Sequence, residues 1–227
     1  APLAWSLQVR GGDTTINSDI AAGSRSFGVT STGTVALAAG NDLTATSGSI
    51  SLDGADGVTT LASSTLSTGS GDVRLASSGG PVASGAAITT TNGAVTVSGV
   101  GATVGGDITT GAGPVNIAAG SGTVTQNGKI NTAGGAVTLT GATLDVNDTI
   151  ASNGGNVVLG GAVVNLNAGA GTAPVNTGGG NLTLGVNTAS DINRSGAVTF
   201  NAGAGVITVN GDMVNAPTAN VTFNAST

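Results

Sequence analysis

Four charged residues lie close together along the chain, Asp53, Asp56, Asp72 and Arg74. Clustered carboxylates with a basic neighbour, sometimes helped by Ca²⁺, do acid–base work on polysaccharides. No fixed spacing marks a catalytic pair among them, and single surface Asp residues are ordinary. The chain contains no His and no Tyr. The expectation is therefore no catalytic residue, no cofactor and no bound metal.

Other series invite other chemistry. Asp19, Asp42, Asp107, Asp191 and Asp212 each precede an apolar residue, and a column of carboxylates could take a hard cation such as Ca²⁺. The series is broken at Thr65, Ala87, Lys129, Thr149 and Pro174. Asp is also a turn residue that bonds nearby backbone, and that is the role expected. Thr68, Thr90, Thr110, Thr132, Ser152 and Thr177 form a third series. Facing outward they could order water and bind ice, but their parity with inward apolar residues places them inside or at a corner. Asn-x-Ser/Thr triplets begin at Asn147, Asn181, Asn193, Asn220 and Asn224, a pattern expected by chance in so Asn- and Thr-rich a chain. Trp5, the single Trp, could stack on a ligand; at the opening end it is expected to cover the first unit.

What positions these residues is a repeat. Starting from Ile108, apolar residues follow at +7 and +9, Val115 and Ile117. The phrase recurs from Ile20, Leu43, Leu66, Ile88, Ile130, Ile150 and Val175, with looser copies from Ile192 and Met213 and a truncated opening copy, Leu7-Gln-Val9. A third apolar segment stands near +16, at Val82, Val104, Val124, Val146 and Leu166, with Val35, Val58, Ile207 and Ile16 in the same part. Alternation at +7 and +9 has the period of a strand. Gly recurs at +5 (Gly48, Gly71, Gly93, Gly113, Gly135, Gly155, Gly180), which predicts corners needing a positive φ. Three short strands and three corners in some twenty residues make one coil. A single coil buries too little to fold alone, so the coils must stack.

The predicted fold is all-β: a right-handed single-stranded parallel β-helix, a triangular solenoid of about ten coils of 20–23 residues. It forms a single domain over residues 1–227, with a lead-in at 1–6, coils over 7–223 and a tail at 224–227. Composition agrees, since Val, Ile, Ala and Thr replace the aromatics, of which there are four. Charge is scarce at 7% and mean hydropathy is +0.31, which argues against disorder. A net charge of −6 with five basic residues argues against a nucleic-acid surface. No apolar run is long enough for a membrane helix, and so few aromatics cannot form the two girdles of a membrane barrel. The sequence begins with Ala1 rather than Met, which suggests a processed or excised product.

The phrases Gly40-Asn-Asp-Leu-Thr-Ala-Thr-Ser-Gly-Ser-Ile-Ser-Leu52 and Gly106-Asp-Ile-Thr-Thr-Gly-Ala-Gly-Pro-Val-Asn-Ile117 resemble rod repeats of the filamentous haemagglutinin family, large exoproteins exported by two-partner secretion. The resemblance runs from about Leu7 to Phe223. It implies a non-enzymatic β-helical rod of a secreted or bacterial cell-surface adhesin, or of an extracellular filament. That family's secretion domain carries Asn-Pro-Asn motifs, and no Asn-Pro pair occurs here. The alternatives left open are a polysaccharide-active β-helix enzyme and an ice-binding solenoid.

Two places are expected to make contacts. The coil starting at Ile150 reads as 25 residues and the next as 17, so Asn167, Ala168, Gly169, Ala170, Gly171, Thr172, Ala173 and Pro174 should leave the rod and meet a host or surface receptor. Neither end carries a charged amphipathic cap. Trp5, Leu7, Val221 and Phe223 should then sit at head-to-tail contacts with another copy, or with the rest of a longer rod.

Overall fold

In the computed structural model, residues 5–9, 12–167, 173–214 and 220–226 are described. Every described element is a strand, and every strand pairing is parallel. The alternation read at mid-rod holds. Val115 and Ile117 are 0% and 1% exposed, Ile108 and Val124 are 0%, and Asn116 between them faces solvent. Side chains of successive strand residues point to opposite faces, so the inward members of each coil meet those of the coils above and below.

Three faces result. The first is a 10-stranded sheet, from Ile20–Gly23 to Val221–Ala225. The second runs from Trp5–Val9 to Ile207–Val209, and the third from Thr14–Ile16 to Asp212–Val214. These two merge into one 18-stranded sheet because Val137–Val146 and Val157–Leu166 pass round the shared corner as single 10-residue strands. The stack makes about nine turns of a β-solenoid. One apolar column fills it, from Ile16 and Val29 to Val198 and Phe200.

The register differs from the sequence reading at both ends. The opening strand sets Trp5 and Leu7, rather than Leu7 and Val9, in the columns of Phe27 and Val29. Near the other end, Ile192 does not start a copy. It pairs with Val164 on the third face, and Met213 pairs with Ile192. The first-face column continues instead through Val175, Phe200 and Phe223. There is accordingly no 17-residue coil, and strands extend over Trp5–Val9 through Val221–Ala225, a little beyond 7–223. The third segment is also a full in–out–in strand. Val82 and Val124 lie in one inward column with Val35, Val58, Ala102 and Leu144; Val104, Val146 and Leu166 lie in a second. Ile16 belongs to that second column, through Leu37, and Ile207 to the second face, against Leu182.

The +5 glycines have a different cause from the one expected. None of them has a positive φ; where that conformation occurs nearby it falls one residue earlier, at Gly134 (φ 106°), Gly154 (φ 113°) and Gly179 (φ 128°). What forbids a side chain at +5 is the coil below. A Cβ on Gly93 would fall on the carbonyl oxygen of Gly71, one on Gly113 on that of Gly93, and one on Gly135 on that of Gly113. Backbone stacks on backbone along this edge.

Candidate functional site

At the corners the strand ladder lapses, and the amide hydrogens there still need acceptors. Turn side chains supply many of them across coils, though Thr149 takes its acceptor locally from Asp148. Asp19 Oδ1 accepts the amide N–H of Asp42 at 2.9 Å, Asp42 Oδ1 that of Thr65 at 2.9 Å, and Asp107 Oδ1 that of Lys129 at 2.8 Å. A second corner repeats the device: Ser26 accepts from Ser49, Ser49 from Asp72, Asp72 from Ala94, Asn156 from Asn181 and Asn181 from Val206. Asp191 and Asp212 stand elsewhere, paired on the third face. The Asp series is thus divided between two places, and its corner members tie one turn to the next.

The Thr series lies inside. Thr68, Thr90, Thr110, Thr132, Ser152 and Thr177 are all buried. Thr90 and Thr110 each donate a hydroxyl hydrogen at 2.6 Å to the carbonyls of Gly93 and Gly113, Thr132 and Ser152 do so at 2.5 Å to Gly135 and Gly155, and Thr68 and Thr177 bond Gly71 and Gly180. The hydroxyl therefore holds the corner whose glycine lets the coils approach. These threonines present no surface to ice.

Of the four clustered charges the structure brings two together. Arg74 reaches back one coil to Asp53, with Nη2 and Nε both 3.0 Å from Oδ1, and Ser51 donates to the other carboxylate oxygen at 2.6 Å. This pair borders a shallow groove with Thr30, Ser77 and Ser98. Asp72 is turned to its corner amide instead, and Asp56 is exposed. Among the described residues no three acids or other ligands gather as a metal site.

Asparagine ladders are the feature that the sequence reading missed. Asn147 Nδ2 donates to Asn127 at 2.8 Å and Asn167 to Asn147 at 2.6 Å; Asn165 donates to Asp145 at 2.7 Å and Asn193 to Asn165 at 2.8 Å. Their signal is the recurrence of Asn at one-coil spacing, as in Asn127, Asn147 and Asn167, which the Asn-x-Ser/Thr pattern does not capture. Two of the triplet asparagines, Asn147 and Asn193, belong to these ladders; Asn224 donates to Asn201 at 2.7 Å, and Asn220 is exposed.

Of the expected contact loop, residues 168–172 lie outside the described residues. Between Leu182–Leu184 and Asp191–Arg194 six residues, 185–190, turn the corner that the preceding coil turns in three, between Leu159 and Val163. Ser190 Oγ closes it by accepting from Val186 N at 3.0 Å and Asn187 N at 3.3 Å, and Val186 is 52% exposed.

The C-terminal end of the described stack carries part of the exposed apolar surface, beside Leu61, Val100 and Val186 elsewhere. Column positions that are shut off from solvent at mid-rod are only partly buried here, at Ile207, Val209, Met213 and Val221. Phe223 is 48% and Val206 63% exposed. Together with Gly205, Ala225 and Ser226 they line an apolar groove. Each of the three last strands has a single described neighbour. At the opposite end Trp5 and Leu7 hold the corresponding second-face columns. The expectation that the Trp5 side chain covers the first coil falls outside the described side chains. Compared with known proteins, the chain matches no family model, no curated protein and no solved structure.

Proposed function

We propose that this chain is a structural β-helical rod of a bacterial surface or secreted exoprotein, similar in kind to the filamentous haemagglutinin rods, working without catalysis by its length and stiffness. One observation carries the reading. The stacking interface repeats through about nine turns, and coil is stapled to coil at the corners by side chains that accept amide hydrogens from the following turn. Such ties add nothing to a cleft. They oppose shear and opening between neighbouring coils, which is the demand on a rod. The grouped charges favour this reading too, since the Asp53 carboxylate is held by Arg74 and Ser51.

Electron microscopy of the purified protein tests the shape: at ~4.8 Å per turn, nine turns give a rod roughly 45 Å long with even width. Incubation with pectins and bacterial glycans, with and without Ca²⁺, tests the chemistry. Release of new reducing ends would replace the rod with a polysaccharide-active enzyme, and compact particles would remove it altogether.

A further inference from the structure

The groove beside Arg74 lies on the flank of the rod, where every strand is paired on both sides. It crosses four successive second-face strands, Phe27–Ser31, Ile50–Gly54, Val73–Ser77 and Val95–Ser98. Their outward residues Thr30, Asp53, Ala76 and Ser98 stand in one column. Ala76 points outward yet is only 5% exposed, because it is the floor of a groove of about 280 Å³. Along its strand Arg74 lies before this floor, and Ser77 and Ser78 lie after it. We infer that the groove binds a neutral glycan through hydrogen bonds to the sugar hydroxyls. This rests on the rod reading above and adds a ligand to it.

The polar groups point to that class of ligand. Arg74 and Asp53 neutralise each other, with Nη2 and Nε both 3.0 Å from Oδ1. A small anion at Arg74 would meet the Asp53 carboxylate, and a cation at Asp53 would meet the guanidinium. Neither side chain is saturated, however. A guanidinium has more N–H donors than these contacts use, and a carboxylate has more lone pairs than Arg74 and Ser51 fill. Donors and an acceptor thus stand side by side, with Arg74 50% and Asp53 30% exposed. A sugar presents the matching set, since one hydroxyl can accept from Arg74 while its neighbour donates to Asp53. The hydroxyls of Thr30, Ser78 and Ser98 line the same groove and can each donate or accept. The rise of ~4.8 Å per coil is close to the length of one pyranose unit, so a glycan lying along the rod axis meets one rung per ring. No aromatic residue lines the groove, so the binding is weak and rests on these hydrogen bonds.

The test is a titration followed by nuclear magnetic resonance of isotopically labelled protein. Neutral gluco-, xylo-, manno- and galacto-oligosaccharides are the probes, and polygalacturonate and heparin are the anionic comparisons. At least one neutral oligosaccharide should shift the backbone amides of Arg74, Ala76 and Ser77, with an affinity that salt leaves unchanged. Asp53→Asn and Arg74→Ala, both at surface positions, should each weaken that binding about tenfold. Ala76→Leu should abolish it by filling the floor. Thr138→Ala, in the same outward column as Arg74 but three coils away, should leave it unchanged. If no neutral oligosaccharide shifts these amides, or if Asp53→Asn and Arg74→Ala bind as before, the inference is overturned. A preference for polygalacturonate or heparin that fades with salt would overturn it in favour of an anion site. Even rods under the microscope in those cases leave the rod reading intact. New reducing ends from a bound glycan would instead remove the rod reading and keep the ligand, so the two failures are distinguishable.

Discussion

The ring of Phe223 stacks on that of Phe200 with centroids 5.7 Å apart and planes 16° from parallel. Phe200 is fully buried and Phe223 is half exposed, so one ring is core and the other is its lid. Phe200→Ala should destabilise by about 3–5 kcal/mol through the cavity it leaves. Phe223→Ala should cost clearly less, because much of that ring never left water. Denaturant unfolding of both variants measures the difference, and equal losses would contradict the column assignment.

At mid-rod Ile117 packs between Val97 below and Leu139 above. Ile117→Asp puts a carboxylate where nothing can pair with it. A loss beyond about 4 kcal/mol, enough to prevent folding in a marginal protein, is the expected result. Asn116→Asp, one residue away on the outer face, should change stability by no more than about 0.5 kcal/mol. Thermal melts that put the two variants side by side would refute the inward direction of Ile117.

The corner glycines separate two physical causes. Gly113→Ala would press a methyl onto the Gly93 carbonyl and can be relieved only by moving the coils apart, so the expected cost is large, above about 2 kcal/mol. Gly134→Ala meets no neighbouring atom but must hold φ at 106°, a backbone strain of about 1–3 kcal/mol. Gly196→Ala meets open space without a positive φ and should be nearly neutral. The first substitution should also disturb the amide exchange of the coil below; the second should not.

The buried hydroxyls can be removed with little change of shape. Thr110→Val deletes the donor to the Gly113 carbonyl and leaves a buried acceptor, at a cost of about 1–3 kcal/mol. Thr109→Val, on the exposed side of the same strand, should leave stability nearly unchanged. Urea midpoints decide between them.

Acid should loosen the opening coils. The Thr34 backbone amide and then its hydroxyl hold the Asp13 carboxyl below its ordinary value of 3.8, and the amide bond is 2.8 Å long. A carboxyl depressed in the folded state stabilises above its unfolded pKa, and that contribution is lost as pH falls through the folded value. Protection of the Thr34 amide from hydrogen exchange should therefore fall below pH about 4 and be absent at any pH in Asp13→Ala. A Thr34 amide equally protected in both proteins would dismiss the staple.

Much of this molecule is written in the order of its residues. The spacing of Ile108, Val115 and Ile117 determines strands and corners, because a side chain on a strand has only two directions and water selects between them. The position of Thr110, two residues past an inward Ile, determines that its hydroxyl is enclosed. Which strand lies on which was decided only by the stack. Ile192 and Phe200 are both apolar and both follow Val175 at plausible distances, yet Phe200 takes the first-face column, where it meets Phe223, while Ile192 falls on Val164 and brings Asn193 over Asn165. The glycines tell the same story from the backbone side. A recurrent Gly reads alike whether it needs a positive φ or lies against the neighbouring chain, and the difference between Gly113 and Gly134 appears only when one coil is set on another. The partners of Asp19, Asp42 and Asp107 are likewise a full turn away: each carboxylate accepts an amide hydrogen from the coil that follows, a pairing that exists only once one coil is set on another.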